Sequence, residues 1–164
     1  GSVLEYCESL LAQRRQTTGE QSCALDSNLV AELIRELFDH CRRCRALFLL
    51  GDYGRSLRDS LHSLEILKVI RENSSKDTLA FRYDRYRPGL VVDRARAEML
   101  HHIQAGDMRE ALNALNRGLM DIEEFYGEYE MADQISDSSE REILVDLRRS
   151  LREKYNVPLN DREP

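Results

Sequence analysis

Gly51-Asp52-Tyr53 returns as Gly106-Asp107-Met108, 55 residues further on, and this pair of short stretches decides how the chain is read. The apolar positions around the two copies match without a gap: Leu37 with Val92, Cys44 with Met99, Phe48 with Ile103, Leu57 with Leu112, Leu64 with Leu119, and Leu67 with Ile122. A glycine just past a run of helical periodicity ends a helix, because it enters the left-handed backbone region without the steric cost of a Cβ. Each copy is therefore a long helix, a tight Gly-Asp turn and a long return helix. One such hairpin has an apolar seam too wide to cover by itself, whereas two copies with flanking helices close one continuous core. The fold class expected is all-α: a bundle of about six to seven helices in which two similar αα-hairpins stack, at right angles or as in a solenoid.

Before the first copy, the periodicity places a first helix over residues 2–15 and a loop over 16–25. A long helix follows over 27–50, with Ser27 as its cap and Val30, Leu33, Leu37, Cys41, Cys44 and Phe48 on one face. The return helix, 54–72, buries Leu57, Leu61 and Leu64 and breaks at Asn73-Ser74-Ser75. Residues 76–86 form a short helix with a boundary at Arg87, since the residue before Pro88 is biased out of the α region. The second hairpin pairs a helix over 89–105 with one over 108–130, and 132–137 is an acidic loop. Ser139 and Glu142 make a capping-box pattern for a last helix with Leu144, Leu147, Leu151 and Tyr155 in its core, ended by Asn156-Val157-Pro158. The organisation is thus one domain, 1–164: hairpin 27–73, connector 74–87, hairpin 88–131 and a C-terminal helix 138–155, with Gly1-Ser2 read as a tag remnant.

Composition agrees. The 164 residues carry 24 Lys+Arg against 30 Asp+Glu, a net charge of −6, and only 8 Gly and 3 Pro, too few for the many turns of a β-sandwich or barrel. No apolar run approaches the roughly 18 residues that cross a bilayer, and no signal-peptide pattern opens the chain. A soluble, cytoplasmic domain is expected.

Four cysteines, Cys7, Cys23, Cys41 and Cys44, include a Cys-x-x-Cys, but Cys41 and Cys44 fall in mid-helix in register with Leu37 and Phe48. Zinc-binding pairs of this spacing sit on turns, so these read as small core residues, reduced as in cytoplasmic proteins. Glu98-Met99-Leu100-His101 has the Glu-x-x-His spacing of di-iron helices, with Asp59-Ser60-Leu61-His62 a weaker echo. At about 100° per residue, Glu98 and His101 point away from the stripe Val92, Ala95, Met99 and Ile103. His102 reads as a packed core-edge residue. No phosphate loop, nucleophile elbow or His-Glu-x-x-His is present. No enzyme activity, cofactor or metal is expected.

Charge is unevenly spread. Residues 35–58 hold six Arg against three acids and residues 79–96 five Arg against two, each net +3, whereas residues 120–142 hold nine acids against Arg141, net −8. Such bipolarity suits docking to a charged protein partner or to a second copy. In the connector, Phe81-Arg82-Tyr83-Asp84-Arg85-Tyr86-Arg87-Pro88 interleaves rings with guanidinium groups. That is the chemistry of single-stranded nucleic-acid contact and equally that of a packed joint between hairpins; overall acidity opposes the former for this domain alone. Arg82, Tyr83, Arg85, Tyr86 and Arg87 are the candidate partner-binding residues.

The Gly-Asp-Tyr turn, with small Ser56 or Ala111 three residues on, resembles the tetratricopeptide helix turn, although 55 residues exceeds that family's 34-residue unit. Leu4-Glu5-Tyr6, Ala46-Leu47-Phe48-Leu49-Leu50-Gly51-Asp52-Tyr53, Tyr86-Arg87-Pro88, Ala105-Gly106-Asp107-Met108-Arg109-Glu110-Ala111-Leu112 and Glu123-Glu124-Phe125-Tyr126-Gly127-Glu128-Tyr129 together resemble the middle region of uncharacterised bacterial proteins that end in a UVR motif. The resemblance implies a bacterial cytoplasmic protein with a partner-binding role and a UVR hairpin beyond Pro164. It supplies no activity or catalytic residues. The function expected is a non-enzymatic helical-repeat interaction or scaffold domain that binds a protein partner or self-associates. The alternative is an accessory domain of a UVR-motif protein linked to DNA repair or nucleic-acid binding.

Overall fold

The computed structural model describes residues 1–18, 25–73 and 77–155. In chain order the helices are α1 (Val3–Thr18), α2 (Ser27–Leu49), α3 (Tyr53–Glu72), α4 (Asp77–Asp84), α5 (Arg87–Gln104), α6 (Met108–Glu128), a 3₁₀ helix (Ala132–Asp137) and α7 (Ser139–Tyr155). The described residues form an all-α bundle of helical hairpins. α2 packs antiparallel on α3 and α5 on α6; α3 lies against α5 and joins the two hairpins, α1 covers part of α2, and α7 packs on α5 and α6. Among the described residues no helix is long and apolar enough to cross a membrane.

The two turns are built alike. Gly51 and Gly106 have φ of 77° and 80°, and each closes a Schellman motif. Gly51 N–H donates to Phe48 O and Asp52 N–H to Leu47 O; Gly106 N–H donates to Ile103 O and Asp107 N–H to His102 O. The next residue then opens the return helix: the Asp52 carboxylate accepts from Arg55 N–H, and that of Asp107 from Glu110 N–H. One dipeptide thus ends one helix and caps the next, which is why Gly-Asp recurs.

Several boundaries differ from the sequence reading. The cap of α2 is Asp26, whose Oδ1 accepts from Asn28 and Leu29 N–H, not Ser27. α5 begins at Arg87, the expected boundary, with Pro88 in the first turn where its missing N–H costs nothing, two residues before the helix start expected at Gly89. Residues 132–137 are a 3₁₀ helix rather than a loop. The cap of α7 is Ser138, whose Oγ accepts from Arg141 N–H, so the Ser139/Glu142 capping box does not form. α1 runs on to Thr18. Residues 19–24, Ser74, Ser75 and the helix end expected at 156–158 lie outside the described residues.

The buried face of α3 also differs. Leu61 is 47% exposed, and Leu57 and Leu64 are half-buried; the buried side is Ser56, Asp59, Ser60, Ser63, Ile66, Leu67, Val69 and Ile70. α3 is wedged between α2 and α5, and small serines let the helices approach where leucines would hold them apart. The serines meet the cysteines of α2: Ser56 Oγ donates to Cys44 O at 3.0 Å, and Cys41 Sγ donates to Ser63 Oγ at 3.7 Å. Cys7, Cys41 and Cys44 are buried and free, and burial pushes all three thiols up from their ordinary values, which makes them poor nucleophiles. Cys23 lies outside the described residues.

The interior is two apolar clusters rather than one. The first gathers α1, α2, the end of α3 and Leu90; the second gathers α5, α6 and α7. Leu64, half-buried on α3, packs against both.

Candidate functional site

The five connector residues divide when placed. Arg87 is structural: its side chain is 11% exposed and reaches Asp84 Oδ2 at 2.9 Å and Glu128 Oε2 at 2.5 Å, with its guanidinium 5.1 Å from the Phe125 ring centre. Asp84, 1% exposed, also takes Arg71 at 3.4 Å and the Tyr129 hydroxyl at 2.8 Å. Burial and the hydrogen bond to Asp84 raise the Tyr129 phenol above its ordinary range, so it stays a donor. Arg71, Asp84, Arg87, Glu128 and Tyr129 thus tie α3, α4, α5 and the end of α6 into one ionic node around the buried Asp84. Tyr83 packs partly into the first apolar cluster. Arg82 is exposed, its guanidinium over the Tyr83 ring.

Arg85 and Tyr86 belong to a different place. Tyr86 is 43% exposed and meets Phe38 of α2 edge-on, with ring centres 6.4 Å apart. Arg85 lies 5.1 Å over the Tyr86 ring. These residues, with Phe38, Arg42, Arg45 and Leu90, border a cavity of about 320 Å³. A second cavity of about 280 Å³ continues along the same helices, bordered by Arg45, Phe48, Leu49, Asp93 and Arg96. Arg45 lines both, so a groove follows the seam between α2 and α5, the first helices of the two hairpins. Its sides are rings and guanidinium groups, with two carboxylates, Asp93 and Glu140, among them. Arg96 stacks 4.7 Å over Phe48, Arg45 reaches Asp93 at 3.4 Å, and Arg42 pairs along its own helix with Asp39 at 2.5 Å. Arg85 and Arg96 have no carboxylate partner among the described residues. Leu49, 85% exposed, stands at the groove's end beside Leu50 at 80%.

Of this groove the sequence singles out only Arg85 and Tyr86 as partner-binding, and Phe48, expected on the core face of α2, lines the groove instead. Phe38, Arg42, Arg45 and Phe48 recur on α2 three or four residues apart, and that second stripe beside the core stripe is the signal that would have found it.

A second polar cluster occupies the other flank of α2's buried stripe. Glu36 and His40, one turn apart on α2, face Asp59 and His62 of α3 across the hairpin. His62 Nε2 is 2.5 Å from Glu36 Oε1, the His40 and His62 ring centres are 4.1 Å apart, and His40 Nδ1 is 3.2 Å from Asp59 Oδ1. Arg43 holds Asp59 with two hydrogen bonds of 2.6 Å. Burial pushes the Asp59 carboxyl up, but the bonds and charge of Arg43, with His40, outweigh it and hold the carboxyl below its ordinary value. The other Glu36 oxygen accepts from Val3 N–H at 2.6 Å. In the sequence Asp59 and His62 stand out only as an echo of a di-iron spacing, and no motif marks Glu36 or His40. Of that spacing's stronger copy, Glu98 pairs with Arg117 at 2.7 Å and His101 is exposed, so the two do not converge.

No protein-family model, curated protein or solved structure matches the chain.

Proposed function

We propose that this domain is a helical-hairpin interaction module, rather than a catalyst, that holds an acidic segment of a protein partner in the groove between α2 and α5. One observation carries the reading: Arg85 and Arg96, towards the two ends of the groove, lie over the Tyr86 and Phe48 rings, Arg85 also donating to the Tyr86 hydroxyl, and neither forms an ion pair with a carboxylate of the described residues. A guanidinium fixed by a ring has already lost its rotamer freedom, so a bidentate carboxylate that meets it costs little further ordering. Between the two arginines the groove offers apolar surface, Phe38, Leu90, Phe48 and Leu49, where an apolar side chain of the segment is desolvated and anchors it. Charge then steers the encounter and apolar burial retains it.

The test is fluorescence anisotropy with a short labelled peptide that alternates glutamate with leucine and phenylalanine. A basic peptide of the same apolar content and an oligo-thymidylate serve as competitors. The acidic peptide should bind, weaken with salt, and lose about tenfold or more in affinity in the Arg85→Ala, Arg96→Ala double variant. Equal binding of the basic peptide, or affinity unchanged in the double variant, removes the reading. Tighter binding of the oligonucleotide with the same arginine dependence replaces it with a nucleic-acid role.

A further inference from the structure

We propose that Glu36, His40 and His62 form a binding site for one divalent transition-metal ion, with Zn²⁺ the ion best matched to the ligand set, on the face of the first hairpin away from the groove. One ligand atom from each of the three lies within 4.8 Å of those of the other two. Two imidazoles and a carboxylate are a ligand set that zinc and its neighbours favour. Ligands of one tetrahedral ion at about 2.1 Å stand about 3.4 Å apart. His62 and Glu36, now 2.5 Å apart through a hydrogen bond, separate by under an ångström as the ion takes that bond's place.

The groups behind the ligands favour the same reading. Metal-binding histidines commonly donate their other ring N–H to a carboxylate, which fixes the tautomer and the aim of the ring. His40 Nδ1 lies 3.2 Å from Asp59 Oδ1, which can only accept, and 3.3 Å from Arg43 Nη2, which can only donate; the tautomer that Asp59 favours, with the proton on Nδ1, is the one that leaves the Nε2 lone pair for an ion. Asp59 is itself 7% exposed and clamped by Arg43. Glu36 is likewise held by the Val3 amide on the oxygen it does not turn to His62. The side chains of Glu36, His40 and His62 are 12%, 18% and 24% exposed, sheltered yet reachable. Two cavities meet at His40, of about 390 and 470 Å³, and give an ion a route in.

The repeat shows that the fold does not need these residues. Advancing 55 residues, Glu36 becomes Val91, His40 becomes Ala95 and His62 becomes Arg117. In the second hairpin Val91 and Ala95 are 2% and 0% exposed, beneath Leu144 of α7, which also crowds Gly118 on the neighbouring turn of α6. The two positions on the first helix are therefore closed by apolar packing in one copy, with an exposed, ion-paired Arg117 opposite, whereas the other copy places three convergent ligands there. An ordinary polar face needs no imidazole pair in ring contact.

Isothermal titration of the chelator-treated protein with ZnCl₂, and with CoCl₂ followed by visible absorption, tests the site. Saturable binding of one ion is expected, with a rise in thermal midpoint as metal is added and tetrahedral-type cobalt absorption. His40→Gln and His62→Gln should each weaken binding about tenfold or more, and Asp59→Asn about ten- to a hundredfold through lost orientation. A variant with Cys7, Cys41 and Cys44 all changed to Ser should bind as the parent does; circular dichroism confirms that each variant is folded. Absence of zinc binding at micromolar protein, retention of affinity in both histidine variants, or its loss in the folded cysteine variant overturns the proposal.

Discussion

Glycine does two opposite jobs in α6, and the difference can be measured. A Cβ at Gly118 would stand 2.8 Å from Leu144 Cδ1 and 3.0 Å from Ala95 Cβ, whereas one at Gly127 would meet nothing within 4 Å. Alanine gains about 1 kcal/mol over glycine in a helix interior, while overpacking at a tight crossing costs about 1–3 kcal/mol. Gly118→Ala should therefore lower the unfolding free energy by about 1 kcal/mol, and Gly127→Ala should raise it by about 0.5–1 kcal/mol, both read from urea midpoints at unchanged m. At this scale the sequence is legible where the backbone itself dictates the residue: Gly51 and Gly106 announce their turns because a left-handed φ selects glycine. It is mute where a neighbour dictates the residue, as at Gly118, where the reason for glycine is a leucine on another helix.

At the scale of elements, the connector is held by charge more than by its rings. Asp84 accepts from Arg71, Arg87 and Tyr129, which come from three other elements or their ends. Removing a buried partner leaves two guanidinium groups under-compensated, which costs more than the pair was worth. Asp84→Ala should destabilise by about 3 kcal/mol, and hydrogen exchange should quicken first in α4 and at the end of α6. Exchange that quickens uniformly would mean that the node does not act locally. The sequence showed the alternation of rings and arginines but not this division of labour, since Glu128 lies 41 residues from Arg87. The return helix α3 misleads for a related reason. Hydrophobic periodicity follows its leucines, whereas a helix wedged between two others is selected for small size, and Ser56, Ser60 and Ser63 carry no hydrophobic signal. The histidine cluster was within reach of the hairpin rule: His40 stands eleven residues before Gly51 and His62 eleven after, and Arg43 and Asp59 stand eight on either side. An antiparallel pair folded at Gly51 brings such positions together.

For the molecule as a whole, two apolar clusters meet at α3 and α5, and a carboxylate held by arginine stands in each hairpin: Asp59 with Arg43, and Glu128 with Arg87. Both carboxyls are held below their ordinary range. At Asp59 the bonds from Arg43 overcome burial; at Glu128 the hydrogen bond from Arg87 leads, assisted by the charges of Arg87 and Arg71. A carboxyl whose value falls on folding binds fewer protons folded than unfolded, so stability rises with pH through its titration. The contribution is complete above the ordinary carboxylate range near pH 4 and is lost as acid protonates the folded groups below it. Glu128 is 34% exposed and therefore contributes less than its hydrogen bond suggests, whereas Asp59, at 7%, is little screened. The unfolding free energy should therefore be flat between about pH 5 and neutrality and fall steeply below about pH 4. Arg43→Gln should flatten that fall more than Arg87→Gln, because it releases the better-buried carboxylate. Urea titrations of the three proteins from neutral to acid pH decide the matter. A fall of equal steepness in all three would mean that the acid response belongs to the general excess of carboxylates and not to these two pairs.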